Sequence, residues 1–208
     1  MLRIESFVLL PSYQTNTWLV WDDESKDALF FDPAAIGREP LEFIQKHDLK
    51  VQAIVLTHGH GDHIGGLAYF KNQLDAPVLI HEADAEMLLD NKKNLSEYIG
   101  MPLDLPAADR VLQDGDIITF GAHQAKVIHT PGHTKGSIGV LIDKFLISGD
   151  TLFEMSIGRT DFPGGSYEEI MHSIKTKLFI LAEDTIVFPG HGPSTSIGME
   201  KLNNPFVR

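Results

Sequence analysis

The chain contains no cysteine. That one absence excludes disulfides, thiolate metal ligands and a cysteine nucleophile. No apolar run approaches the roughly 20 residues needed to span a bilayer. The opening stretch "MLRIESFVLLPSYQTN" lacks the apolar length and small-residue cleavage site of a signal peptide. Positive charge is scarce, with 17 Lys and Arg against 29 Asp and Glu and a formal net charge of −12 with His neutral. Binding to nucleic acid and docking on an anionic membrane both draw on dense basic side chains, so neither partner is expected. The cytoplasm is the expected compartment. Low-complexity segments and linkers are also missing. The 208 residues, 43% of them hydrophobic, suffice for one well-buried core, and residues 1–208 read as a single domain.

Strand-like and helix-like stretches fill both halves. "RIESFVLL", "NTWLVWD" and "DALFFDP" read as strands, the last stopped by Pro33. "REPLEFIQKHD" reads as a helix, "VQAIVLTH" as a buried strand, "IGGLAYFKNQL" as a helix, "APVLIHE" as a strand and "EADAEMLLDN" as a short helix. Residues 92–109, with two prolines, read as a long loop over one face. Further on, "DRVLQDGDIITFG", "HQAKVIHTPGH", "GSIGVLID", "KFLISGD" and "DTIVFPGHG" read as strands. "SYEEIMHSIKTKLF" and "SIGMEKLNN" read as helices, the first opened by a capping box of Ser166 and Glu169. Runs of this kind in both halves suggest two sheets covered by helices.

The stretch that carries chemistry is "THGHGDHIGG", Thr57 to Gly66, where His58, His60, Asp62 and His63 fall within six positions. Crowded imidazoles contribute little to a core and repel one another when protonated. Imidazole nitrogen and carboxylate oxygen are the favoured zinc ligands where cysteine is absent. Gly59 and Gly61 let the chain turn sharply enough for neighbouring side chains to converge. Four donors so close exceed what one tetrahedral ion takes from so short a loop, which suggests two ions. Three more donors follow strands in Gly-bearing turns: His133 in "HTPGHTKGS", Asp150 in "LISGDTLF" and His191 in "VFPGHGPS". Two ions with three ligands each and one bridging carboxylate would use all seven.

"THGHGDH", "PGHTKGS", "SGDTLF" and "PGHG" occur in the order and rough spacing of the metallo-β-lactamase superfamily, which the chain resembles over nearly its whole length. The resemblance implies an α+β fold, a four-layer αβ/βα sandwich of two mixed β-sheets flanked by helices. It implies that His58, His60 and His133 hold one divalent metal and Asp62, His63 and His191 another, with Asp150 bridging. Zinc is the first expectation for both ions, with iron or manganese also suited to such ligands. "IGRTDFPGGS" resembles the small glyoxalase II-like hydrolases and, in "GRTDF", the persulfide dioxygenases. The tail "MEKLNNPFVR" is similar to the end of glyoxalase II-type chains, where an Asn-Pro-Phe segment sits near the thiol substrate. The chain departs from full-length glyoxalase II in having no sizeable C-terminal helical domain, which leaves the thiol carrier open.

The activity implied is metal-dependent hydrolysis of a small-molecule thioester, S-lactoylglutathione-like, by a metal-bridging hydroxide that Asp62 orients. A mononuclear iron persulfide dioxygenase is one alternative, and a lactonase or other ester hydrolase of the same fold a second. Arg159, Lys135 and Arg208 are candidate contacts for an acidic thiol carrier, although Lys135 and Arg208 also read as ordinary solvated charges. Arg159 and Asp161 read as a loop-closing ion pair whose loss lowers stability. Of the other histidines, His47 and His172 are expected on helix surfaces and His81 at a strand end. His123 is expected at an edge, and His129 half-buried with its polar atoms satisfied. Ser137, Ser148 and Ser194 lie outside any G-x-S-x-G elbow, which argues against a serine nucleophile. Gly164 and Gly165 read as turn glycines.

Overall fold

Alternating side chains build the architecture, seen in a computed structural model that describes residues 1–98 and 100–207. The first half folds as β1 (Leu2–Leu10), β2 (Thr15–Asp22), β3 (Asp27–Phe31), α1 (Glu39–Lys46), β4 (Lys50–Val55), α2 (Gly61–Ile64), α3 (Leu67–Leu74) and β5 (Val78–His81). A 3-10 helix over Glu82–Leu89 and β6 (Arg110–Leu112) follow. The second half runs β7 (Ile117–Phe120), β8 (His123–His129), β9 (Ile138–Ile142), β10 (Phe145–Gly149), a small hairpin of β11 (Leu152–Phe153) and β12 (Ser156–Ile157), and α4 (Tyr167–Ser173). A π-helical turn over Ile174–Leu178, then β13 (Ile186–Pro189), β14 (Thr195–Ser196) and α5 (Ile197–Asn203), complete it.

Two six-stranded sheets result, ordered β1-β2-β3-β4-β5-β6 and β14-β13-β10-β9-β8-β7. Both are mixed. In the first, β1, β2 and β3 pair antiparallel and β3 to β6 parallel. In the second only β10 and β13 run parallel.

The strands are apolar on both faces because both faces are covered. In β2, Trp18 and Val20 point between the sheets and Leu19 and Trp21 point to the outer side. In β3, Leu29 and Phe31 alternate with Ala28 and Phe30 in the same way. One apolar layer therefore joins the first sheet to α1 and α3 through Ile44, Leu67 and Phe70. A second lies between the sheets. A third joins the second sheet to α4 and α5 through Ile170 and Ile197. This is the expected four-layer sandwich. None of the helices among the described residues is long and apolar enough to cross a membrane.

Three sequence expectations are corrected. "DRVLQDGDIITFG" is two strands in two sheets: β6 closes the first, β7 edges the second, and the turn at Asp114–Gly115 carries the chain across. The helix expected from Ile64 starts earlier, because Gly61–Ile64 already form the helical turn α2 before the chain re-enters α3 at Leu67. The capping box is half made. Ser166 Oγ accepts from Glu169 N at 3.3 Å, but the Ser166 N–H donates to the Gly132 carbonyl at 2.8 Å.

This topology delivers the polar turns to one place. β8, β10 and β13 run in the same direction, so the turns carrying His133, Asp150 and His191 leave from the same end of their sheet. The turn after β4 reaches that end through the Ile138 N–H, which donates to the Thr57 carbonyl at 2.9 Å.

Candidate metal centre

All seven sequence-predicted donors converge. His60 Nδ1 and His133 Nε2 lie 2.9 Å apart, and the His58 ring centroid is 4.9 Å from that of His60 and 4.8 Å from that of His133. On the other side, His63 Nε2 and His191 Nε2 are 3.1 Å apart, with Asp62 Oδ2 at 4.0 and 3.5 Å from them. Asp150 stands between. Its Oδ2 is 3.5 Å from His133 Nε2 and 3.3 Å from His191 Nε2, and its Oδ1 is 3.3 Å from His63 Nε2. Within each of the sets His58–His60–His133 and Asp62–His63–His191, one ligand atom per residue lies within 4.8 Å of the others.

The imidazoles are held in the form that offers a lone pair to the cluster. Thr57 Oγ1 donates to Asp32 Oδ2 at 2.6 Å, so it accepts from His58 Nδ1 at 3.1 Å. His63 Nδ1 donates to Asp32 Oδ2 at 3.0 Å, His133 Nδ1 to the Arg159 carbonyl at 2.7 Å, and His191 Nδ1 to the Tyr13 carbonyl at 2.9 Å. In all four rings Nδ1 thereby donates outward and Nε2 faces the cluster, where it becomes a ligand atom once it carries no proton. Outer hydrogen bonds of this kind set the tautomer of metal-binding histidines.

Two atoms test whether cations fit. His58 Nε2 and Asp150 Oδ1 are buried and have no hydrogen-bond partner. An unpartnered buried nitrogen or ionised oxygen costs several kcal/mol in general, and divalent cations between the two histidine sets satisfy both. The donor set, imidazole and carboxylate without thiolate, suits zinc, iron or manganese. Asp32, His58 and His63 also approach closely enough to hold an ion. Asp32, however, already accepts from Thr57 N at 2.7 Å as well as from Thr57 Oγ1 and His63, so it acts as a holder of ligands.

The protein alone gives the two sets opposite proton affinities. Burial, reinforced by His133, pushes His60 down to about 3. Burial, then His63 and His133, holds His58 well below the usual imidazole range. Burial also opposes the charged form of His191, but hydrogen bonds to Asp150 and Asp62 outweigh it and raise the ring to about 9. His63 is raised as well: burial is overcome by the charges of Asp150 and Asp62.

Close packing of backbone is part of the centre. A Cβ on Gly190 would sit 2.1 Å from Asp150 Oδ1 and 2.6 Å from His63 Cε1, so only glycine fits there.

Over the cluster opens a cavity of about 750 Å³. Its walls include Tyr13, Leu95, Tyr98, Phe153, Ile157, Phe162 and Arg159, and His60, Asp62, His133, Asp150 and His191 are also exposed to it. Arg159 pairs with Asp161 as expected, in bidentate form with Nε–Oδ1 and Nη2–Oδ2 both 2.7 Å, and its guanidinium lies 3.8 Å from the centre of the Phe162 ring. The pair is exposed, 56% and 67% by side chain, which weakens the expectation that it stabilises the loop. Lys135 is exposed and lines a separate cavity of about 250 Å³ with Asp84 and Lys93. Arg208 lies outside the described residues. The tail's Asn204, Pro205 and Phe206 do not line the large cavity; Asn204 instead donates to the Ser156 carbonyl at 3.0 Å and so braces the β11–β12 hairpin.

Among the remaining histidines, His47 is half-buried against Phe43 and Trp21 and is not a free surface residue. His172 is exposed. His129 is half-buried and bonded to the Lys135 carbonyl at 2.8 Å, and it stacks on His81 at 4.0 Å between ring centres. Sequence reasoning missed Asp32, Asp84 and the cavity walls. Asp32 left one signal, an acid placed directly after the buried apolar run Ala28–Phe31. Asp84 left none: it accepts from Gly59 N at 3.1 Å, Thr134 Oγ1 at 2.7 Å and Gly136 N at 2.7 Å, which lie far from it in sequence.

The profile of the metallo-beta-lactamase superfamily matches residues 10–191. A hydroxyacylglutathione hydrolase, GloC of Haemophilus influenzae, is 37% identical over 202 residues, 95% of each chain. The crystal structure of the BLEG-1 B3 metallo-beta-lactamase superposes with a TM-score of 0.92 at 37% identity, covering 99% of both chains. That of TTHA1623 in a di-iron-bound form gives 0.84 at 33% identity, covering 97% of this chain and 99% of the other.

Proposed function

The chain belongs to the metallo-beta-lactamase superfamily of metal-dependent hydrolases, and from that premise we propose that it hydrolyses small-molecule thioesters at a two-cation centre. In this proposal His58, His60 and His133 hold one cation, Asp62, His63 and His191 the other, and Asp150 bridges them. The observation that carries the reading is the pairing of two histidine sets, each with ring nitrogens turned inward, across a carboxylate whose Oδ1 is buried without a hydrogen-bond partner. Divalent cations held there supply Lewis acidity, lowering the pKa of a water towards neutrality and polarising a carbonyl.

The chain's own groups do the rest. Asp62, held ionised against the cost of burial by His63 and His191, orients the attacking water by accepting a hydrogen bond from it at a carboxylate oxygen. The carbonyls of Arg159 and Tyr13 and the carboxylate of Asp32 keep the imidazoles from turning. Tyr13, Leu95, Phe153 and Phe162 exclude bulk water from the reacting carbonyl. A thiolate leaves readily, so no separate strong acid is needed. GloC, a relative over 95% of the chain, is a hydroxyacylglutathione hydrolase, which supports thioester chemistry over the lactonase alternative. The mononuclear dioxygenase alternative would leave Asp62, His63 and His191 assembled without a task.

Metal analysis combined with a panel of thioesters, lactones and glutathione persulfide tests the reading. Thioester hydrolysis lost on chelation and restored by zinc, iron or manganese is expected. One iron per chain with oxygen consumption on the persulfide would contradict it.

A further inference from the structure

The cavity above the cluster limits which thioesters can enter, and this inference rests on the thioester reading given above. Apart from the groups of the cluster itself, the described lining is Tyr13, Leu95, Tyr98, Phe153, Ile157, Phe162 and Pro163, with Gly61, Asn94 and Arg159. Aromatic rings stand on both sides of the centre: Phe162 is 5.7 Å from the His60 ring and Phe153 is 6.1 Å from the His191 ring. The two sides of a bound thioester, acyl group and thiol arm, therefore both meet apolar walls.

Charged recognition is nearly absent. Arg159 is the one Lys or Arg among the described residues that line the cavity. Two of its nitrogens already bind Asp161, and its guanidinium face covers Phe162. The Asn94 side chain is also committed, its amide donating to the Met87 carbonyl at 2.9 Å and its oxygen accepting from Ser96 N at 2.9 Å. Leu95, next to it, holds a left-handed backbone at φ +66°. A non-glycine residue kept there costs of order 1 kcal/mol or more, and the Asn94 bonds hold it in place at the cavity wall. The remaining neutral hydrogen-bonding groups are the phenols of Tyr13 and Tyr98.

We propose that the site takes thioesters whose acyl group and thiol arm are both uncharged and largely apolar, and that it discriminates against thiol carriers bearing several charges. A glutathione arm brings two carboxylates and an ammonium at neutral pH, and among the described residues the cavity offers the carboxylates one cation, Arg159, which Asp161 already neutralises in bidentate form. A charge desolvated without a partner is strongly disfavoured. The net charge of −12 acts in the same direction on approach, repelling polyanionic carriers over a Debye length. In the reaction water adds to the carbonyl carbon, the C–S bond breaks, and sulfur leaves with the bonding pair. The products are a carboxylate, a thiol and one proton.

The test uses the metal-loaded full chain and three thioesters of one acyl group, benzoyl, on N-acetylcysteamine, glutathione and coenzyme A. The neutral N-acetylcysteamine ester is expected to show a kcat/KM at least about tenfold above either charged carrier, with little dependence on salt. Equal or faster turnover of the glutathione ester would overturn this inference and leave the thioester reading standing. No turnover of any of the three, alongside hydrolysis of a lactone, would overturn both. Binding gives a second readout. Phe162→Ala and Tyr98→Ala are expected to weaken binding of S-benzyl-N-acetylcysteamine, a thioether that cannot be hydrolysed, about fivefold or more without lowering the melting temperature. Unchanged binding in both variants would count against the proposal.

Discussion

Asp32 Oδ2 accepts from His63 Nδ1 at 3.0 Å, with both side chains fully buried. The same carboxylate takes the Thr57 N–H and hydroxyl, and that hydroxyl in turn orients His58. One acid thus fixes a ring in each histidine set. Asp32→Ala strands three buried donors. It is expected to cost about 3 kcal/mol of stability and to weaken metal binding about 10- to 100-fold. Denaturant melts and competition with a chelator measure the two effects. Unchanged metal affinity would show that Asp32 does not orient the rings.

Asp84 links the turn carrying His58–His63 to the turn carrying His133, through Gly59 on one side and Thr134 and Gly136 on the other. All three partners are donors to it. An amide cannot replace the carboxylate, because its NH2 would face a donor. Asp84→Asn is expected to destabilise the fold by about 2 kcal/mol and to reduce affinity for the cation held by His58, His60 and His133 in particular. Calorimetric melting and metal titration check it; equal loss of both cations would point to general unfolding.

These two residues also mark where the sequence stops being informative. The seven donors were legible because each sits in a short Gly-bearing turn after a strand, a purely local pattern. Two sheets covered by helices were legible from strand-like runs with interspersed helices in both halves, and the four-layer order from the family resemblance. Asp32 and Asp84 act on groups 25 to 52 positions away, so nothing beside them in the chain announces a role. The cavity walls come from four separate segments around Tyr13, Leu95, Phe153 and Phe162. The stretch Arg110–Phe120 misled because only the four residues Gln113–Asp116 separate its two apolar runs, and only pairing partners reveal the change of sheet.

Proton release on metal binding should separate the two sets. In the metal-free protein His191, raised to about 9, is protonated at pH 7.5 and must lose its proton to become a ligand. His60, pushed down to about 3, is already neutral. Loading is expected to release about one to two protons per chain, measured calorimetrically in buffers of different ionisation enthalpy. The sign carries into stability. The raised pKa of His191 stabilises the metal-free fold below about pH 6.5, and that contribution is lost as pH rises through about 9. The melting shift produced by metal should therefore grow over this window. No proton release at pH 7.5 would contradict the assignment of His191.

Arg159 and Asp161 form an exposed pair, and exposed pairs contribute little to stability. The expectation that this pair closes its loop energetically is therefore revised. Arg159→Ala should leave melting nearly unchanged, and KM for thioesters carrying a carboxylate should not rise, because Asp161 already engages the guanidinium. A large drop in melting temperature would restore the structural role.

The most direct test is metal content by mass spectrometry on the purified chain and on His60→Ala. The account predicts about two divalent ions per wild-type chain, and about one in the variant with nearly all hydrolysis gone. A wild-type chain that takes up no divalent ion, or a His60→Ala variant that keeps two ions and full turnover, would contradict it.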